Sequence, residues 1–167
     1  PLQRILLPWL AVAATASATT PYPSTYQPLP SGPMLIRDAL VLVGNGEKIE
    51  QGDVLVRDGR IAAVGADLPK QDGVTEIDGR GRVLTPGIID IHSHLGVYPS
   101  PGLQGHQDGN EMSDPVTAGV WAEHSVMPED SGFDAARAAG VTSMLVLPGS
   151  ANLIGGRAVA LRNVPAT

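Results

Sequence analysis

Pro86-Gly87-Ile88-Ile89-Asp90-Ile91-His92-Ser93-His94 is an apolar run that ends in two histidines spaced i and i+2. Side chains alternate across a strand, so this spacing sends His92 and His94 to one face, where two imidazoles can grip one metal ion. A catalytic zinc usually takes about three protein ligands and keeps one position open for water, so the pair is the start of a site. On their own, without the flanking motif, the two residues read by preference as strand-end polar groups satisfied by local hydrogen bonds. Asp90 lies two residues earlier on the same face. Its carboxylate is placed either to orient an imidazole from behind or to cap a turn or pair with an arginine.

Ile88, Ile89 and Ile91 form the nearly continuous apolar strand that a parallel sheet buries on both faces. Further along, Asp114-Pro115 has the form of an N-cap followed by proline at the first helical position, which predicts a short helix through His124. A second helix is predicted from about Ser131 to Ala139. Gly140 then stands where a C-terminal glycine belongs, and residues 141–147 return as an apolar strand. Strand, helix, strand is the βαβ unit of an α/β fold. The segment Pro148-Gly149-Ser150-Ala151-Asn152-Leu153-Ile154-Gly155-Gly156 follows that strand as a glycine-rich loop, at the end where ligands gather in α/β folds. It lacks the Gly-Lys-Ser/Thr ending of a phosphate loop, since Arg157 follows Gly156.

Upstream, residues 35–43 suit a strand closed by Gly44-Asn45-Gly46. Residues 53–57 and 60–64 flank Asp58-Gly59, the pair a type I′ hairpin turn prefers. Residues 74–77 and 82–85 flank a second turn-rich connection, Asp78-Gly79-Arg80-Gly81. Residues 34–85 therefore read as a small antiparallel sheet. Before them, residues 19–33 hold five prolines and suit an extended linker. Residues 1–18 carry Arg4, an apolar stretch and Ala16-Ser17-Ala18, the small-x-small form of a signal-peptidase site. That stretch is too short for a stable membrane span, which needs about 20 residues, and Pro8 interrupts it. The expectation is export, to a periplasmic or secreted location.

The chain has 167 residues and a formal charge of -6, with no Lys/Arg-rich run, which disfavours nucleic acid as a partner. It has no cysteine, so any metal must be held by nitrogen and oxygen.

The segment Val83-Leu84-Thr85-Pro86-Gly87-Ile88-Ile89-Asp90-Ile91-His92-Ser93-His94 resembles the amidohydrolase superfamily of metal-dependent hydrolases. Residues 52–65 resemble that superfamily's N-terminal β-sandwich. Asp108-Gly109-Asn110-Glu111, Ala122-Glu123-His124-Ser125 and the glycine-rich loop resemble an exported, imidazolonepropionase-like subgroup. The fold class implied is α/β: part of a β-sandwich over residues 34–85, then the first strands of a (β/α)8 TIM barrel over residues 86–167. His92 and His94 would be metal ligands, with one or two divalent ions, zinc by preference, activating water against a C–N bond. The family's remaining ligands, often a carboxylated lysine, then two histidines and an aspartate, come from later strands. Lys48 and Lys70 precede the His-x-His pair, and His106 and His124 precede the second strand, so none can be those ligands. A barrel takes about 250 residues, so the chain is expected to be an N-terminal piece, inactive alone, of an enzyme acting on a small-molecule or peptide substrate and able to form a homo-oligomer. A non-catalytic relative that keeps the fold for binding or assembly is the alternative.

Asp108, Asn110 and Glu111 lie in the loop after the first strand, which in barrels faces the active site. Asp108 and Glu111 are candidate substrate contacts, against a plain solvated loop. Asn152 is the stronger candidate, because the glycines around it let backbone approach a ligand and its amide both donates and accepts. His106 reads as a surface residue or an auxiliary ligand, and His124 as a packing or hydrogen-bonding residue.

Overall fold

A computed structural model describes residues 30–106 and 109–165. The expected signal peptide (residues 1–18), most of the expected linker (residues 19–33) and Asp108 lie outside them. Among the described residues regular structure begins at Met34, as expected. Five strands form the first sheet: β1 (Met34–Leu42), β2 (Lys48–Arg57), β3 (Arg60–Gly65), β4 (Thr75–Asp78) and β5 (Val83–Leu84). The second sheet holds β6 (Ile88–Ser93), β7 (Val141–Val146) and β8 (Val159–Arg162), with α1 (Ser131–Ala138) between β6 and β7.

The hairpin β2–β3 turns on Asp58 and Gly59, with φ of 52° and 68°, the two left-handed residues that a type I′ turn requires. β1 runs antiparallel to β2 but carries an extra residue between Ile36 and Ala39, where Asp38 has φ 55°. Buried Asp53 holds this bulge, accepting hydrogen bonds from Arg37 Nη1 at 2.9 Å, Asp38 N at 3.0 Å and Leu68 N at 2.9 Å. The expectation of a purely antiparallel sheet fails at β4 and β5, which both pair parallel to β1. The connection Asp78-Gly79-Arg80-Gly81 does not reverse the chain. Gly79 N donates to Arg37 O at 2.7 Å, so the connection follows β1 past its own bulge and resumes pairing on the far side. Among the described residues this is one mixed sheet, packed around Ala39, Val41 and Val54.

In the second sheet the predicted βαβ unit is present: β6 and β7 are parallel and α1 crosses between them. Asp130 caps α1 by accepting from Gly132 N, and Gly140, at φ 93°, ends it. A core of Val97, Ala122, Met144 and Val146 lies against the helix residue Phe133.

Two further expectations are corrected here, and one strand is added to them. The helix predicted from Asp114 to His124 is absent, apart from a single 3-10 turn at Ala122–His124. Asp114 Oδ1 does accept from Val116 N at 2.8 Å, but the backbone groups that would propagate a helix are engaged across space. Pro115 O accepts from Leu153 N and Ile154 N, and Thr117 N donates to Ile154 O. Second, β6 is not buried on both faces: Ile89 and Ile91 are 68% and 75% exposed, because no described element packs over the face they occupy. The added strand is β8, and it pairs antiparallel to β7, unlike the parallel strands of a barrel.

Candidate metal centre at the strand ends

The ends of β6 and β7 meet where Ser93 pairs with Val146, and Leu147 N donates to Ser93 O at 2.8 Å. That lock sets Leu147 O 2.9 Å from His94 Nδ1. A carbonyl can only accept, so Nδ1 carries the proton and Nε2 is left with the free lone pair that a metal needs. The His92 ring stands edge-to-face with it, centroids 5.3 Å apart. Two nitrogens on rings this close fit the roughly 2.1 Å bonds of one shared ion. Together with the absence of thiolates, this donor set suits a borderline divalent metal. Among the described residues no group of three His, Asp or Glu side chains gathers to hold a metal, so the pair is the whole of the local donor set.

Asp90 takes the plainer of its two roles, with Oδ1 accepting from His92 N at 3.0 Å. The chain then folds back over the site, with Val97 N and Tyr98 N both donating to His94 O. The Tyr98 ring lies 5.6 Å from His94, also edge-to-face. It fits between Gly109 and Gly149, where a Cβ on either glycine would overlap the tyrosine.

Around this clamp the loops after β6 and β7 interlock. Gly149 N donates to Gly109 O at 2.6 Å, and Ala151 N donates to Asn110 Oδ1 at 3.1 Å. Asn152 Nδ2 donates to Glu111 O at 3.0 Å and to the Thr117 hydroxyl. Its donor is thus committed to protein, while its Oδ1 is buried with no partner. Glu111 is exposed, and hydrogen bonding from Ser113, first through its hydroxyl and then through its N at 2.8 Å, holds the Glu111 pKa below the usual carboxylate value. Asp108 lies outside the described residues. His106 ends a 3-10 turn with Nδ1 buried and unpartnered, and His124 is exposed, 3.9 Å from Glu123, rather than packed. Sequence reasoning missed Leu147, which acts only through its carbonyl, and Tyr98, whose signal was an aromatic four residues beyond His94 in a chain poor in aromatics.

No family model matches the chain. Amidohydrolase tasK of Hapsidospora irregularis is 40% identical, with 78% of this chain and 15% of that relative covered. An allantoinase of Bacillus licheniformis is 31% identical over 68% of this chain and 20% of its own length. The crystal structure of an amidohydrolase from Thermotoga maritima superimposes with a TM-score of 0.71 at 35% identity, covering 79% of this chain and 34% of that one. The chain belongs to the amidohydrolase superfamily. The 79% shared with the Thermotoga amidohydrolase exceeds what either sheet of this chain supplies alone, so the likeness of fold extends over both. This amidohydrolase chain spans between 15% and 34% of the lengths of these three relatives.

Proposed function

We propose that this chain contributes the N-terminal sheet and the first barrel strands of an exported, metal-dependent amidohydrolase that hydrolyses a C–N bond of an amide, cyclic amide or peptide. The observation that carries the reading is the Leu147 carbonyl on His94 Nδ1, which sets the tautomer of one histidine beside a second. His92 and His94 hold a divalent ion, zinc by the nitrogen donor set, and the bound ion would polarise a carbonyl and acidify water. The chain's own residues orient and enclose. Leu147 O keeps the proton on His94 Nδ1, Tyr98 packs against that ring, and the interlocked loops bring Asn152 and Glu111 to the same end of the sheet as candidate substrate contacts, with Asp108 in the same loop. Export rests on residues 1–18, and the imidazolonepropionase-like subgroup on the loop sequences alone. Small-molecule or peptide substrates follow from the reaction class, and a homo-oligomer is compatible with the exposed β6 edge.

Zinc titrated into the 167-residue chain should bind weakly and exchangeably, because two imidazoles leave the ion half-coordinated. His92→Ala or His94→Ala should weaken that binding by roughly tenfold or more. Unchanged zinc affinity in the double variant, or one tight stoichiometric site in the unaltered chain, would overturn the assignment.

A further inference from the structure

The turn Gly44-Asn45-Gly46 between β1 and β2 holds the one Asn-Gly pair of the chain. The other asparagines, Asn110, Asn152 and Asn163, precede the larger residues Glu111, Leu153 and Val164. Asn45 and Gly46 are both exposed. Glu47 holds the Asn45 amide at both ends: Glu47 N donates to Asn45 Oδ1 at 2.9 Å, and Asn45 Nδ2 donates to Glu47 Oε2 at 3.0 Å. A donor at one end and an acceptor at the other fix which way the amide faces. The N–H on Oδ1 also draws electron density from the carbon behind it, Cγ, and makes that carbon the better electrophile.

The nucleophile that can reach Cγ is the next backbone nitrogen. Among the described residues Gly46 N makes no hydrogen bond. Gly46 has φ 96°, which side chains rarely adopt, and a Cβ placed there would meet nothing within 4 Å beyond its chain neighbours. That nitrogen therefore has no competing partner and no side chain of its own to screen it.

We infer that Asn45 is a site of spontaneous self-modification through a cyclic imide. Gly46 N attacks Asn45 Cγ and a new N–C bond closes the ring. The Cγ–Nδ2 bond breaks, and the proton given up by Gly46 N leaves on the departing ammonia. Water then opens the ring: attack at Cγ leaves an aspartate at position 45, and attack at the backbone carbonyl leaves an isoaspartate. Nothing is oxidised or reduced, and water is the only co-reactant. The Glu47 N–H stabilises the charge that builds on Oδ1, while the Glu47 carboxylate stands at Nδ2, where the proton has to arrive. Either product sets a second carboxylate against that of Glu47, so a hydrogen bond becomes a like-charge contact. The turn also abuts the strand of the histidines, since a Cβ on Gly44 would stand 3.1 Å from Pro86 Cγ, and Pro86 leads into β6.

The test is incubation of the 167-residue chain at neutral and at mildly alkaline pH, read by peptide mapping with mass spectrometry and by enzymatic methylation of isoaspartate. Position 45 should convert at least about tenfold faster than Asn110, Asn152 or Asn163, because only there does a glycine follow. Conversion should quicken at the higher pH, and aspartate and isoaspartate should both accumulate. Gly46→Ala should slow it by about tenfold, by screening the nitrogen and disfavouring the left-handed backbone. Glu47→Ala should slow it severalfold, and Asn45→Gln, which would have to close a larger ring, should leave position 45 unmodified. The turn is exposed, so these variants keep the sheet, as circular dichroism of each should show. Conversion at position 45 no faster than at Asn110, aspartate without isoaspartate, or a rate unchanged in Gly46→Ala would overturn the inference, and a rate unchanged in Glu47→Ala would overturn the part given to Glu47.

Discussion

Asp130 gathers three separate pieces of backbone onto one carboxylate that is 3% exposed. Gly96 N donates to it at 2.8 Å, Ser100 N at 3.0 Å and Gly132 N at 2.9 Å, so the residue that caps α1 also ties down the turn following His94. Burial pushes its pKa up, but the backbone donors outweigh burial and leave it below the ordinary carboxylate value. The folded value is depressed, so the stabilisation is present above the unfolded pKa of about 3.9 and is lost as pH falls through the folded value. Chemical denaturation between pH 7 and pH 3 should show that acid loss, and Asp130→Asn should flatten it. Asp130→Ala should cost about 2–4 kcal/mol, from a lost cap and buried N–H groups left unpaired. At the same scale, His92 and His94 were legible in the sequence because i, i+2 spacing on a strand is a geometric statement. The Leu147 carbonyl was not, because any residue has one and only the register of β7 brings it to His94.

The elements divide along a similar line. The β2–β3 hairpin and α1 were legible because each is decided by adjacent residues: Asp58-Gly59 in the turn, Asp130 and Gly140 at the helix ends. β4, β5 and β8, together with the segment from Asp114 to His124, were not, because their hydrogen bonds go to partners distant in sequence. The loops after β6 and β7 depend on that long-range pairing most heavily, and Gly149 is its tightest point. A methyl group there would overlap both Tyr98 and Asn110. Gly149→Ala should therefore destabilise the protein by about 1–3 kcal/mol. Hydrogen exchange should rise together at Gly149 and Thr117, whose amides cross between the loops. Unaltered exchange at Thr117 would show that the two loops are not one cooperative unit.

At the scale of the whole molecule, the two apolar clusters among the described residues are small and much apolar surface faces outward. Ile89 and Ile91 stand on one face of the edge strand, 68% and 75% exposed, and Leu153 in the glycine-rich loop is 83% exposed. Exposed apolar edges of this kind favour association. The 167-residue chain should bind a hydrophobic dye and self-associate as concentration rises, as read by light scattering. Ile91→Lys should lower both signals with a stability change of no more than about 0.5 kcal/mol, because little burial is lost. The antiparallel β8 was the least expected feature at this scale, since it occupies the flank of β7 opposite β6.

β7 carries two of the most deeply buried side chains, Met144 and Val146, and its next residue supplies the carbonyl that holds His94. The interior of the second sheet and the histidine pair therefore share a single mechanical part. A substitution such as Met144→Ala, at a side chain that is not itself a proposed ligand, would tilt or slide that part, and the first symptom would be a weakened hold on the proposed ion at temperatures where the protein is still fully folded. Metal affinity in this chain would thus serve as a strain gauge for its core.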